Sequence, residues 1–589
     1  MENNDSMTRS NKKQALLLLQ SNKLAEAKSL LEKICKIDRN DIESWILLVQ
    51  INARLGQPDQ VEKCCREIIR INPGLYDAHY HLGCALMFQN KQNDAVSAFQ
   101  RVIQLKPEHA MTYLHLGNLS ASVGEALKYY QRAAQLEPNL AEAYGAVGTA
   151  LVSCGQIQEA VASFREGLRI RPDFHTLHSS LLFALNYSAA YDAHTIFSEH
   201  VRWGQRYAST SAFLHANTPD SDRRLRVGYV SPDLREHSVS YFFEPLLANH
   251  HADEVETFCY AEVAKPDSTT KRLQSLAKHW YTTCGITDRE LANRIHADRI
   301  DILVDLAGHS SNNRLLAFSA KPAPIQATYL GYPNTTGVAA IDYRLTDAWA
   351  DPPEQTDSFH TEKLIRLPRG FLCYLPPSNP PPVTQPPVTI RGHVTYGSFN
   401  NLPKITPSVA SLWASILRTV PDARLVLKNF SLSDLSIRKR YLQLFSEHGI
   451  APDRLELQGR HDSMAEHLSS YGAIDIALDT FPYNGTTTTC EALLMGVPVV
   501  TLAGHLHAGR VGISLLTQLG LSHLIAETPE EYVRIASILA KNVEDLSRSR
   551  ASLRERIMNS SLCDGKSFAR EVESVYRSMW KKWCIAHKA

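Results

Sequence analysis

At 589 residues the chain has length for about three to five domains of roughly 100–200 residues each. Its 62 basic and 61 acidic residues cancel, which argues against a protein built mainly to hold nucleic acid or an anionic membrane surface. Eleven cysteines without a C-x-x-C pair, two of them the adjacent Cys64 and Cys65, suit a reducing cytoplasm, where the protein is expected to reside. In chain order, the opening MENNDSMTRSNKKQ is polar and lacks the apolar core of a signal peptide. No stretch approaches the roughly 18 consecutive apolar residues of a membrane span.

A repeat follows. Prolines close helical stretches in INPG, LKPE, LEPN and IRPD, at Pro73, Pro107, Pro138 and Pro172, with spacings of 34, 31 and 34 residues. Twelve residues before each proline stands a small or apolar residue: Val61, Ala95, Ala126 and Ala160. Four residues later come Phe99, Tyr130 and Phe164, with Cys65 the exception. Three units open on Leu82 and Gly83, Leu116 and Gly117, or Val147 and Gly148. The physical reading is a helix-turn-helix unit in which glycine and alanine let two helices approach and the aromatic fills the next interface. The pattern resembles the tetratricopeptide repeat. With a degenerate copy in front (Ala27 and Leu31), it gives about five units over residues 8–173. Such solenoids present a concave face that grips a polypeptide, as an acceptor or as a scaffolded partner. The third unit is three residues short between Gly117 and Ala126, and the loss is expected in the turn between its helices. Residues 174–221 continue helical and read as a cap and linker.

From Leu225 the pattern becomes α/β. LRVGYVS and IDILVDLA read as buried strands alternating with helical segments, the mark of a parallel, doubly wound sheet. LPPSNPPPVTQPPV, with seven prolines in fourteen residues, is a semi-rigid linker over residues 375–391. A second strand series follows: HVTYGSFN, RLVLKNF, IDIALDTF and VPVVTLAG. Two Rossmann-like halves, 222–374 and 392–560, are therefore expected, with an amphipathic helix over 561–589 crossing back to the first. Ligands of such sheets sit at the carboxyl ends of strands, so the cleft between the halves is the default site.

In FPYNGTTTTCEALLMGVPVV, four threonines stand between a strand and a helix. Free backbone N–H groups and the positive end of the helix dipole favour an anion there, and threonine hydroxyls add donors. Any one threonine serves equally as an N-cap; four together point to a phosphate cradle. Glu491, one turn in, is placed to accept from ribose hydroxyls. No G-x-x-x-x-G-K-[ST] occurs, which excludes a Walker-type nucleotide hydrolase.

Several long stretches carry a resemblance over residues 222–583: VGYVSPDLREHSV, DILVDLAGHSSNNR, KPAPIQATYLGYPNTTG, GSFNNLPKITP, LDTFPYNGTTTTCEALLMGVPVVTLAG and HAGRVGISLL. Together with the repeats, they resemble the O-GlcNAc transferase/SPINDLY family of GT-B glycosyltransferases, and TTTTCE is closer to the SPINDLY type. The fold class implied is α plus α/β, a repeat solenoid followed by a GT-B catalytic region. The activity implied is inverting transfer of a sugar from a nucleoside diphosphate to Ser or Thr hydroxyls of proteins.

The resemblance implies further roles by position. Lys404 matches a lysine that neutralises the departing diphosphate, and otherwise reads as a surface lysine. His237 matches a histidine near the reaction centre, either as base or as hydrogen-bond partner of sugar or acceptor. Asp233 stands nearby, as a further candidate or a turn cap. His296 matches a family histidine on the acceptor or sugar side, or packs on a helix face. On the donor side stand Asn401, Lys404, His467, Thr486, Thr487, Thr488 and Glu491. Relative to animal O-GlcNAc transferases, Thr486 replaces a histidine, Glu491 an aspartate, and an arginine after His467 is missing. The donor is therefore UDP-GlcNAc, as in the larger family, or GDP-fucose, as in plant SPINDLY proteins. No cofactor or metal is implied: the one Asp-x-Asp, at Asp220 and Asp222, precedes the first strand. The asparagine ladder of O-GlcNAc transferase repeats is replaced by His81, His115 and Ala146.

Overall fold

The computed structural model describes residues 2–208, 213–459, 461 and 463–587, and the chain divides into two compact units between Ala150 and Leu151. In the first unit, helices pair as Glu2–Gln20 with Leu24–Ile37, Ile42–Arg54 with Pro58–Ile71, Tyr76–Phe88 with Gln92–Leu105, and Ala110–Leu119 with Val123–Leu136. Gly83 explains the close pairing: a Cβ there would stand 2.6 Å from the Phe99 ring. Phe99 thus fills the interface inside its own pair, and it also stacks on His115 of the following pair with centroids 5.1 Å apart. The expectation that the aromatic fills the next interface is met by that stacking, with the interface inside its own pair added.

The shortened third unit is corrected too. Helix Ala110–Leu119 has 10 residues where Tyr76–Phe88 has 13, while the connection to the second helix keeps its length. The missing residues come from the last turn of the helix, because the connecting turn is already minimal.

The second unit begins earlier than the repeat boundary at 173 suggests. Helix Ile157–Ile170 packs on His175–Leu185. Just before it, Arg440 Nε donates to the Cys154 carbonyl at 2.9 Å. Gly155, at φ +72, leaves room for Tyr441, whose hydroxyl would be 2.5 Å from a Cβ. Helices His175–Leu185 and Ala193–Tyr207 are likewise built into the α/β body. Asn186 Nδ2 donates to Tyr332 Oη at 3.0 Å, and His200 Nε2 lies 2.7 Å from the same oxygen. Residues 209–212 of the expected helical linker, and 588–589 of the final helix, lie outside the described residues.

Seven parallel strands form the first sheet: β1 Leu225–Ser231, β2 Val255–Ala261, β3 His279–Thr282, β4 Ile302–Asp305, β5 Ile325–Thr328, β6 Tyr343–Asp347 and β7 Lys363–Leu367. Their order is β3-β2-β1-β4-β5-β6-β7, with Val227 opposite Ile302 where β1 meets β4. The second sheet has six: β8 Thr395–Ser398, β9 Arg424–Lys428, β10 Leu455–Gln458, β11 Ile476–Leu478, β12 Val499–Leu502 and β13 Ile525–Ala526. Their order is β10-β9-β8-β11-β12-β13. Strands buried on both faces read as apolar runs without alternation, which is why VVTL and ILVD are strands here. In each sheet the chain winds outward, then returns past its first strand. That reversal opens a crevice at the carboxyl ends of β1 and β4, and another at β8 and β11.

Three devices join the halves. Arg550 and Arg554 donate to the carbonyls of Thr384 and Pro381, pinning the proline linker. Helix Gly565–His587 crosses back, where Glu573 accepts from His250 Nδ1 at 2.9 Å and Trp580 Nε1 donates to the Asp220 carbonyl at 2.7 Å. Beyond β6, Asp351 meets His507 Nδ1 at 2.7 Å, and Arg510 Nε donates to the Trp349 carbonyl at 2.9 Å.

Candidate active site

The crevice of the second sheet gathers most of the candidate residues. After β11, Asp479 is buried and organises the turn: it accepts from Gly485 N at 2.6 Å and from Thr501 Oγ1 at 2.7 Å. Burial raises its pKa to about 6. The turn delivers the threonines to the N-terminus of helix Thr487–Leu494, which no side chain caps. Thr488 Oγ1 donates to Asn400 Oδ1 at 3.0 Å and Thr489 Oγ1 to the Gly485 carbonyl at 3.3 Å. The Thr487 hydroxyl is buried without a hydrogen-bond partner. An uncapped helix start with an unmatched hydroxyl is a ready anion site.

Lys404 follows β8 and arrives at the same turn. Its Nζ donates to the Asn484 carbonyl at 2.6 Å and lies 3.9 Å from the centroid of the Tyr483 ring. Burial pulls its pKa down to about 8, against the opposing pull of Asp479. It is therefore not an ordinary surface lysine. Asn400 and Lys404 both reach the threonine turn from β8, so the two strands flanking the crevice meet there.

One strand further out, Lys428 at the end of β9 completes a chain of polar groups. Its Nζ is 2.7 Å from His467 Nδ1, and His467 Nε2 is 3.0 Å from Glu491 Oε2. Tyr471 Oη donates to the same Glu491 oxygen at 3.2 Å. Glu491 is 5% exposed and already engaged, so a ribose would share this carboxylate rather than find it free. Asn401 is exposed on the rim, 3.4 Å from Asn429 Nδ2. Lys428 and Asn400 were missed by sequence reasoning; their signal was a polar residue ending a strand, Lys428 in β9, or just beyond one, Asn400 after β8.

The crevice of the first sheet holds His237 and Asp233, in the loop after β1. His237 caps helix Ser238–Asn249: its Nδ1 accepts from Val239 N at 3.2 Å, and its Nε2 faces Asp233 Oδ1 at 3.6 Å. Burial raises the Asp233 pKa and lowers that of His237. One turn along that helix, Tyr241 feels the charge of Glu491, which together with burial raises its pKa to about 12. The charge of Glu491, in the second crevice, thus reaches the helix that His237 caps in the first.

His296 is not part of it. It sits at the end of helix Asp288–Ala297, at the amino edge of β4, stacked on Phe213 at 4.7 Å with Nε2 2.9 Å from the Leu214 carbonyl. The expectation of an acceptor-side role is corrected: a residue that precedes its strand lies at the opposite edge of the sheet from the crevice. In the repeats, His115 is packed between Phe99 and Tyr80, whose hydroxyl is 3.2 Å from Nε2. It does not stand in for a free amide ladder. Among the described residues no group of three or more His, Cys, Asp or Glu is arranged to hold a metal ion. No helix among them is long and apolar enough to cross a membrane.

Comparison with known proteins agrees with this geometry. The model of "Glycosyl transferase family 41" matches residues 170–374 and 390–572, and that of the tetratricopeptide repeat matches 76–109 and 141–174. A rice protein (Oryza sativa subsp. japonica) named "Probable UDP-N-acetylglucosamine--peptide N-acetylglucosaminyltransferase SPINDLY" is 44% identical over 430 residues, 72% of this chain and 46% of its own length. An Arabidopsis thaliana protein named "Probable UDP-N-acetylglucosamine--peptide N-acetylglucosaminyltransferase SEC" is 31% identical over 414 residues, 68% of this chain and 42% of its own. The chain thus spans less than half the length of these plant relatives. An O-GlcNAc transferase of Thermobaculum terrenum, solved as a lysine-to-methionine mutant, superimposes with a TM-score of 0.76 at 36% identity. That match covers 92% of this chain and 98% of the solved one.

Proposed function

The chain belongs to glycosyl transferase family 41, and from that premise we propose that it transfers a sugar from a nucleoside-diphosphate donor to Ser or Thr hydroxyls of proteins, with UDP-GlcNAc as donor. One observation carries the reading: the uncapped start of helix Thr487–Leu494 and the Lys404 ammonium are held on one turn, by way of the Asn484 carbonyl. A diphosphate seated there meets backbone N–H groups, threonine hydroxyls and a fixed cation. As the sugar departs, negative charge grows on the diphosphate, and a preorganised donor of this kind contributes about 10²–10³ in rate. No step requires a divalent metal, because lysine and helix dipole supply the positive field.

The acceptor's proton is handled by His237 and Asp233. Because His237 Nδ1 already accepts from Val239 N, its proton resides on Nε2. That makes His237 a hydrogen-bond donor to sugar or acceptor oxygen, and leaves the raised-pKa Asp233 as the accepting group of the pair.

A second reading, GDP-fucose as donor, is favoured by Glu491 and Thr486, which differ from the animal enzymes within the nucleotide pocket. The repeats are proposed to select the protein acceptors, and a cytoplasmic location is proposed from the cysteine usage, all eleven cysteines being free among the described residues. A donor panel in EDTA tests all of this. UDP release from UDP-GlcNAc supports the first reading and GDP release from GDP-fucose the second. Binding of neither would leave a repeat scaffold.

A further inference from the structure

The ring beneath the Lys404 ammonium is itself held from outside both sheets. Tyr483 stacks on Tyr187, with centroids 5.3 Å apart and planes 20° from parallel. Tyr187 follows helix His175–Leu185, ahead of the first strand, and is 6% exposed. From the same helix, Phe183 lies 6.5 Å from the Tyr483 ring and 5.7 Å from that of Tyr332. Asn186, the immediate neighbour of Tyr187, donates to the Tyr332 hydroxyl at 3.0 Å and accepts from Asn334 Nδ2 at 2.9 Å. Three segments therefore converge under one ammonium: the helical cap, the first half through Tyr332, and the second half through Tyr483.

We propose that Tyr187 is a positioning residue for Lys404: by stacking on Tyr483 it fixes the ring on which the ammonium rests, and so the place of that charge in the diphosphate site. The proposal rests on the role given to Lys404 above. The Asn484 carbonyl, which accepts from Lys404, is the next residue after Tyr483, so a ring free to turn would loosen the ammonium's acceptor as well. Asp479 is the charged group acting on Lys404, and it holds the same turn from below through Gly485 N. The helical cap thus acts on the donor site through Tyr483, in addition to packing on the first half through Asn186.

The test uses the full-length chain with Tyr187→Phe, Tyr187→Leu and Tyr187→Ala. The first readout is the pH dependence of Lys404 acetylation by acetic anhydride, read by mass spectrometry on its own peptide, which needs neither donor nor acceptor. The second is donor turnover. Tyr187→Phe should keep the titration midpoint near 8. Tyr187→Leu and Tyr187→Ala should admit water and shift it upward by about one unit or more, toward an ordinary lysine. They should also lower kcat about tenfold, with a smaller change in KM. A Leu variant that melts cooperatively and keeps both the midpoint and kcat overturns the proposal. So does loss of cooperative melting in both Leu and Ala variants, which would make Tyr187 a structural residue. A shifted midpoint in a protein that turns over no donor would sustain the positioning role and sink the functional reading instead.

Discussion

Lys428 Nζ stands 2.7 Å from Nδ1 of His467, close enough to assign the imidazole tautomer. An ammonium only donates, so Nδ1 accepts, and the ring proton sits on Nε2, pointing at Glu491 3.0 Å away. Lys428 thereby holds His467 and Glu491 in one arrangement from a strand that neither belongs to. Lys428→Met should weaken nucleotide binding by about tenfold, the worth of a charge-assisted hydrogen bond. Calorimetry with UDP and GDP checks this, and an unchanged Kd for both would remove Lys428 from the site.

Lys404→Ala should lower nucleoside diphosphate release about 10²–10³-fold while the protein still melts cooperatively. Turnover like wild type would refute the leaving-group role.

The depressed pKa of Lys404 carries a sign for both rate and stability. In the free enzyme the ammonium is lost above a pH of about 8, so kcat/KM should fall through that range. An unfolded chain keeps its proton up to 10.5, so this group destabilises the fold below 8 and ceases to do so as the pH rises to 10.5. Lys404→Met should therefore stabilise the protein at pH 7 by about 1–2 kcal/mol, after discounting for partial exposure. The gain should vanish near pH 10, and thermal melts at the two pH values would decide it.

For His237 the assigned proton makes a specific comparison. His237→Gln, which keeps an N–H donor, should retain more activity than His237→Ala, whereas a general base would leave the two equally impaired. Equal loss in single-turnover assays would argue for a base.

The seam at Ala150 makes a prediction about truncation. Removing residues 1–139 keeps helix Ala141–Ser153 whole and should leave a cooperatively folding protein that still binds donor but labels protein acceptors poorly. Removing 1–173 also strips helix Ile157–Ile170 from Leu177, Leu181 and their neighbours, and should lower Tm by several degrees more. Equal melting of the two would contradict the interlocking of the last repeat with the α/β unit.

Much of this architecture is written in local chemistry. The proline period needs only helix-breaking residues at fixed offsets, and Gly83 needs only the close approach of Phe99. The uncapped helix start after IDIALDT follows from a buried strand, a turn and four hydroxyls in a row. Each of these features is set inside one repeat or one strand-turn-helix unit, or recurs at a fixed period, so periodicity and residue type suffice to find them. His296 shows where that reasoning stops: its sequence neighbourhood resembles a site, yet it precedes β4, and the direction of the strand carries it to the far edge of the sheet.

Strand order is a long-range property. Only the folded sheets put β8 beside β11, bringing Asn400 and Lys404 onto the threonine turn some 80 residues later. Lys428 and His467 meet across 39 residues for the same reason, and Tyr187 reaches Tyr483 from a helix outside both sheets. Residue type and spacing by themselves determined the repeats, the two halves and the threonine cradle at the helix start. Which charges surround that cradle, and what holds them, was decided by the packing of segments distant in sequence, because burial and contact exist only once those segments are in place.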